Sequence, residues 1–304
     1  MLEFLRKEGI SEKLIEEVEN FRKFYKVEPN LQYRIPQPRY SYYGRDVWEQ
    51  AITALLCGEN ILLVGSKATG KNVLAENLAL VFGRPKWDIS FHMNTDSSTL
   101  IGTDTFEKGQ VVFREGPIYE CAKCGGFGVL DEINMAKNDS MSVLHATLDY
   151  RRIIDVPGYD KIVLHDAVRF IATMNYGYAG TRELNEALTS RFMVINMPAI
   201  SSENLRKLLL KEFPNISSEY LEQFTGLFQD LKLKSENSEI STKSLDLRGL
   251  ISAINLMDKG LEAKKALNMG ITNKSFDDFE RKLVQDVIDL RIPTKLERNK
   301  IFKD

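Results

Sequence analysis

Apolar positions along the chain fall into three regimes. Residues 1 to about 30 are densely charged, with Leu14, Ile15, Val18 and Phe21 recurring on one helical face. Pro36 and Pro38 then interrupt the chain, and Asp46–Cys57 regains a helical period. From Ile61 to Pro198, short apolar runs alternate with helical segments. The runs Ile61–Val64, Lys86–Ser90, Gly126–Leu130, Val168–Met174 and Phe192–Met197 predict strands. Strands alternating with helices argue for a parallel sheet sandwiched by helices, an α/β unit of doubly wound type. After Pro198 only helical periods remain, over Asn204–Phe213, Ser218–Leu231, Ser244–Lys259, Leu261–Leu267 and Phe276–Leu290. The expected organisation is a helical extension over 1–38, an α/β unit over 39–200, and an all-helical domain with a charged tail over 201–304. The apolar face of the first 30 residues suits either a partner-binding helix or a helical cap on the core.

Composition adds exclusions. The 304 residues are 43% hydrophobic and 28% charged, with a formal net charge of -2. That suits a globular protein of two packed units and supplies no electrostatic drive toward nucleic acid or an anionic membrane. No apolar run approaches the roughly 18 residues of a membrane span. Charges interrupt Met1–Glu8, so a signal peptide is not expected there. Three cysteines do not suggest a disulfide framework, and a cytoplasmic setting is expected.

The chemistry is concentrated at two places. Gly65-Ser66-Lys67-Ala68-Thr69-Gly70-Lys71 follows the first predicted strand and precedes a helix. That is the setting in which a G-x-x-x-x-G-K loop turns backbone N–H groups toward phosphate, with the lysine reaching the terminal phosphates. Gly65 to Lys71, with Asn72 and Val73, are therefore the candidate nucleotide-binding residues. The residue after the lysine is ordinarily Ser or Thr, whose hydroxyl binds Mg²⁺; here it is Asn72. A carboxamide oxygen also ligates hard cations, but its greater length strains an octahedral shell. Slow hydrolysis is the expectation. The second place is Phe127-Gly128-Val129-Leu130-Asp131-Glu132, an apolar strand ending in two acids. Acids at the carboxyl end of a strand face the ligand crevice of an open α/β sheet. Asp131, with Asn72, is the candidate holder of Mg²⁺, and Glu132 the candidate for polarising the attacking water.

Loop and acids together resemble the AAA+ ATPases, and more specifically their MoxR-like branch, related to the midasin and dynein motor modules. The resemblance runs from about Tyr43 to Lys259. Leu100–Ile118 is similar to a hairpin inserted before the acidic strand, Asp131–Asp149 to the helix after it, and Arg169–Asn175 to the sensor-1 strand. The resemblance implies ATP and Mg²⁺ as ligands, an adenine pocket built on the backbone around Tyr42–Arg45 and the lid, and a five-stranded P-loop NTPase sheet followed by an all-helical AAA+ lid. It implies a ring, hexameric in such proteins, and chaperone-like remodelling or metal loading of a client. A separate von Willebrand factor A partner is implied, since this chain has no Asp-x-Ser-x-Ser site. Site roles follow residue by residue. Asn175 corresponds to the sensor that contacts water or γ-phosphate, or else it caps a turn. Arg191 corresponds to an arginine finger serving the neighbouring subunit, or else it is a cation at a helix end; Arg182 is a second candidate. Lys243 corresponds to the lid sensor, with Arg248 one turn away. Cys121-Ala122-Lys123-Cys124 lacks the second ligand pair of a zinc site and reads as inert thiols or a redox brake. Two other functions stay open: a GTP-using motor of a restriction system, and a nucleotide-switched scaffold.

Overall fold

A computed structural model describes residues 1–137, 141–176, 184–293 and 295–303. The chain divides into two compact units, Met1–Ser66 with Gly70–Pro198, and Lys67–Thr69 with Ala199–Asp304.

The first unit is built on five parallel strands: β1 (Ile61–Val64), β2 (Lys86–Ser90), β5 (Phe127–Asp131), β8 (Arg169–Met174) and β9 (Met193–Asn196), in the order β2-β5-β8-β1-β9. Their near-continuous apolar runs follow from burial on both faces. Successive side chains alternate between those faces. Ile61, Leu63, Phe127, Val129 and Ile171 join one core with Trp48, Leu74 and Phe82. Leu62, Leu130, Phe170 and Ala172 join the other with Ile118, Tyr119 and Leu144. The helices over the first face are α1 (Leu2–Lys7), α2 (Glu12–Phe24), α3 (Arg45–Leu56) and α4 (Lys71–Phe82). The charged N-terminal stretch is thus a layer of the core: Leu5, Ile15 and Val18 are fully buried. On the second face lie α5 (Ser97–Ile101), α6 (Pro117–Cys124) and α7 (Leu144–Leu148).

Before β5, an antiparallel hairpin joins β3 (Gly102–Glu107) to β4 (Gln110–Glu115), where the sequence resemblance places one. A second, shorter hairpin pairs β6 (Ile153–Ile154) with β7 (Ile162–Val163). The hydroxyl of Tyr159, in the second hairpin's loop, donates to Asp104 of the first at 2.6 Å. The five core strands start within one residue of their predicted positions, because each apolar run is flanked by glycine, proline or charge.

All five strands begin at the same edge of the sheet, and two buried arginines close that edge. Arg84, 1% exposed, donates to the carbonyls of Tyr25 (2.6 Å), Gly125 (2.7 Å) and Cys124 (3.3 Å). Arg169, 5% exposed, donates to Leu55 (2.7 Å), Asp166 (2.6 Å) and Val168 (2.7 Å). The carbonyls of Tyr25, Leu55 and Cys124 close the C-terminal ends of α2, α3 and α6, where helices leave acceptors unpaired and the dipole favours a cation. Burial pushes both guanidinium pKa values down, that of Arg169 to about 10.

The second unit contains α9 (Ser202–Glu212), α10 (Ser218–Glu236), α11 (Leu247–Asp258), α12 (Ala263–Gly270), α13 (Asp278–Arg291) and α14 (Arg298–Ile301). In the first unit, α8 (Glu186–Thr189) precedes β9. Ser201 and Ser217 cap α9 and α10 through their hydroxyls, as helix-start signals dictate. Helix α11 begins at Leu247, three residues later than its periodicity predicts. The hydroxyls of Ser241 and Ser244 bond Glu280 (2.8 and 3.4 Å) and hold that stretch outside the helix. Helices α11 and α12 approach backbone to backbone: a Cβ on Gly249 would lie 2.0 Å from the Gly270 carbonyl oxygen. The charged tail carries a structural signal that periodicity misses. Phe302 pairs with Ile216 in an antiparallel bridge, and Ile301 and Phe302 are buried.

Candidate nucleotide site

The chain leaves β1 toward β2 on one side of it, and later leaves β8 toward β9 on the other. Such a reversal opens a crevice beyond the carboxyl ends of the strands. The glycine loop fills it. Ala68 (φ 65) and Gly70 (φ 84) take left-handed backbone, turning the chain from β1 into α4. Gly70 caps α4 with no side-chain acceptor, and the first turn holds no acid. The leading N–H groups and dipole of a 12-residue helix favour an anion there. Lys71 is 7% exposed, and its Nζ donates to the carbonyls of Gly65 (2.9 Å) and Ser66 (2.8 Å). Burial pushes its pKa down to about 8, against the pull of Asp131 and Glu132.

A wall beside the loop was not legible as such. Asn77, buried in α4, accepts the Tyr42 N–H (3.3 Å) and donates to the Tyr40 carbonyl (2.8 Å). Trp48 Nε1 donates to the Tyr42 carbonyl at 2.9 Å. The Tyr42 ring then lies against the loop, 3.1 Å from where a Cβ on Gly70 would stand. Burial raises the Tyr42 hydroxyl to a pKa of about 12, so the ring acts as a neutral wall. The stretch expected to shape the adenine pocket is therefore tied to the helix that carries Lys71.

Asp131 and Glu132 end β5 beside β8, and the side chains of Thr173, Asn72 and Asn175 engage them. Thr173 Oγ1 donates to Asp131 Oδ1 at 2.6 Å and accepts the Glu132 N–H at 3.1 Å. Asn72 Nδ2 donates to Asp131 Oδ2 at 3.0 Å. Asn175 Nδ2 donates to Glu132 Oε1 at 3.0 Å, and its carbonyl accepts Asn134 Nδ2 at 3.0 Å. Glu132 itself sits at φ 54, ψ 45, a left-handed conformation costly for a non-glycine residue and typical of functional positions. The structure thus gathers Lys71, Asn72, Asp131, Glu132 and Asn175. Thr173 is the member that sequence reasoning passed over; its signal is a lone hydroxyl inside the buried run Arg169–Met174.

The residues fit a polyphosphate: an open helix N-terminus, a buried lysine and glycine-permitted loop backbone converge on one place. They do not, as arranged, fit a divalent cation held by both Asn72 and Asp131. A hard cation needs oxygen lone pairs. Here Asn72 turns an N–H toward Asp131, and both Asp131 oxygens accept protein donors.

The remaining expected residues lie elsewhere or are engaged. Arg191 follows α8 and is held by its own chain: its guanidinium donates to the carbonyls of His145 (3.1 Å) and Ala187 and lies 3.7 Å from Asp149 Oδ2. Arg182 lies outside the described residues. Lys243 belongs to the second unit, exposed before α11, with Nζ 6.0 Å from the Phe276 ring centroid; Arg248 is exposed in the first turn of α11. Cys121 is buried and its thiol pKa is raised well above the ordinary value by that burial; burial also raises Cys124. A thiol held protonated is a poor nucleophile and a poor metal ligand. Among the described residues no group of three or more His, Cys, Asp or Glu side chains is placed to hold a metal, and no helix is long and apolar enough to cross a membrane.

A family profile for the AAA domain, dynein-related subfamily, matches residues 60–192, the span from Asn60 before β1 to Phe192 before β9. The chain belongs to the AAA+ ATPase family. Its relatives include the uncharacterized protein YojN of Bacillus subtilis, 32% identical over 266 residues that cover 86% of this chain and 87% of YojN. They also include the uncharacterized protein SERP0979 of Staphylococcus epidermidis, 32% identical over 262 residues, covering 84% of this chain and 98% of that one. A crystal structure of a presumptive ATPase from Cytophaga hutchinsonii aligns over 92% of this chain and 98% of its own, at 15% identity and a TM-score of 0.45.

Proposed function

We propose that this chain is a MoxR-like AAA+ protein that binds ATP, hydrolyses it slowly, and works as a ring on a client protein. The observation that carries the nucleotide part is the convergence of Lys71 and the open start of α4 on the pair Asp131–Glu132. Glu132 is the general base for the attacking water. Asn175, bonded to its carboxylate, positions it. Thr173 fixes Asp131 and the Glu132 backbone together, so the two acids keep one geometry. Slow turnover follows from Asn72, which places a donor where the family ordinarily has a hydroxyl ligand. The ring, hexameric by family analogy, brings Arg191 to a neighbour's site only after its contacts with His145, Ala187 and Asp149 are exchanged. Lys243 serves as the lid cation in the same scheme. Remodelling or metal loading of a client, with a separate von Willebrand factor A partner, rests on the MoxR-like resemblance.

One second reading has an observation of its own. A nucleotide-switched scaffold would bind ATP, assemble and release little phosphate, and the Asn72–Asp131 bond favours it. Phosphate release measured alongside oligomer size by light scattering separates the two. ATP-dependent assembly with slow release that Glu132→Gln lowers about a hundredfold or more supports the enzyme, since general-base catalysis contributes on that order. Assembly with release unchanged by Glu132→Gln favours the scaffold, and absence of nucleotide binding sinks both.

A further inference from the structure

Asn72 stands at the position from which a P-loop ordinarily reaches the metal, and its contact there is with a carboxylate. The orientation of its amide follows from chemistry: only the Nδ2 side can face Asp131 Oδ2 at 3.0 Å, because two oxygens at that distance would repel. The opposite oxygen of the same carboxylate accepts the Thr173 hydroxyl at 2.6 Å. Asp131 thus accepts one short hydrogen bond on each oxygen, from two different elements, α4 and β8. A divalent cation, or a water bound to one, must share Oδ2 with the Asn72 donor. Mg²⁺ tolerates little departure from an octahedral oxygen shell, so a nitrogen-bearing side chain pointing at its acid is a direct competitor. Phosphate recognition does not share this dependence. Lys71, held on the Gly65 and Ser66 carbonyls, and the uncapped N-terminus of α4 attract polyphosphate without a metal.

We propose that Asn72 competes with the divalent cation for Asp131, so that this site takes its nucleoside polyphosphate essentially metal-free and admits the cation only when the Asn72–Asp131 bond opens. The inference rests on reading the site as nucleotide-binding. It makes position 72 a determinant of metal dependence, separable from affinity for the phosphates.

The test is equilibrium binding of a fluorescent, non-hydrolysable ATP analogue to the full chain, in EDTA and in millimolar MgCl₂. The parent's Kd should differ by less than about threefold between the two conditions. Asn72→Thr should bind about tenfold or more tightly with Mg²⁺ than with EDTA, and Asp131→Asn placed on that variant should remove the gain. Manganese spin resonance gives a second readout: with the analogue present, the parent leaves Mn²⁺ free and Asn72→Thr takes it up. Asn72→Ser, which also supplies a hydroxyl, stands in should the threonine variant fold poorly by its melting curve. A parent whose affinity rises tenfold or more with Mg²⁺, as the threonine variant's does, overturns the inference and leaves the nucleotide site intact. No binding by any variant in either condition overturns both.

Discussion

The two edges of the parallel sheet handle buried positive charge in opposite ways. At the edge where the strands begin, Arg84 and Arg169 each meet three backbone carbonyls, and those carbonyls end helices or precede strands. At the edge where the strands end, Lys71 meets two carbonyls of its own loop, beside the open start of a helix. The arginines are satisfied and finished. The lysine sits where helix dipole and N–H groups favour an anion. A parallel sheet makes this division natural, since helix C-termini gather at one edge and helix N-termini at the other. The same group of forces gives a structural seal below and a binding site above.

The largest effect should come from breaking the seal. Arg84→Met leaves three buried carbonyls unpaired and should cost about 2–4 kcal/mol of stability, offset in part by the desolvation that the arginine no longer bears. Urea denaturation reads the loss, and nucleotide affinity of the folded fraction should be unchanged. Lys71→Met should do the reverse. Nucleotide affinity should fall about a hundredfold, while stability moves by less than about 1 kcal/mol. A Lys71→Met protein that unfolds as readily as Arg84→Met would erase the distinction between the two edges.

A smaller effect sharpens it. With Lys71 pushed down to about 8 by burial, nucleotide affinity should hold below pH 8 and weaken by up to about tenfold per pH unit above it. The sign for stability is opposite. Between about 8 and the ordinary 10.5 the unfolded chain holds the proton and the folded chain has lost it, so the empty protein gains stability as pH rises through that window. Titration of affinity and of melting temperature between neutral and alkaline pH should show the two trends crossing, and Lys71→Met should flatten both.

Much of this arrangement is legible in the sequence. The five strands, the glycine loop, the acidic pair and Asn175 rest on local patterns: apolar runs, a fixed spacing, acids at a strand's end. What stayed hidden depends on distant pairings. The Asn72 donor to Asp131 joins residues fifty-nine apart, and Thr173 to Asp131 forty-two apart. Arg84 and Arg169 look like ordinary surface cations in a sequence, because arginine is rarely buried, and only the geometry of helix ends shows why these two are. Arg191 is instructive in another way. Its position after a short helix permits both a finger and a helix-end cation, and within one chain it bonds as the latter. The tail around Phe302 carries no periodicity because a two-residue bridge needs none.

Arg84 has a further consequence for how the molecule opens. Its three acceptors come from residue 25, at the end of α2, and from residues 124 and 125, just before β5. Peeling α1 and α2 from the sheet would strand a guanidinium in an apolar setting and expose the turn that feeds the acidic strand. The amides of the first two helices should therefore exchange with deuterium at the rate of the central strands, as members of one cooperative unit.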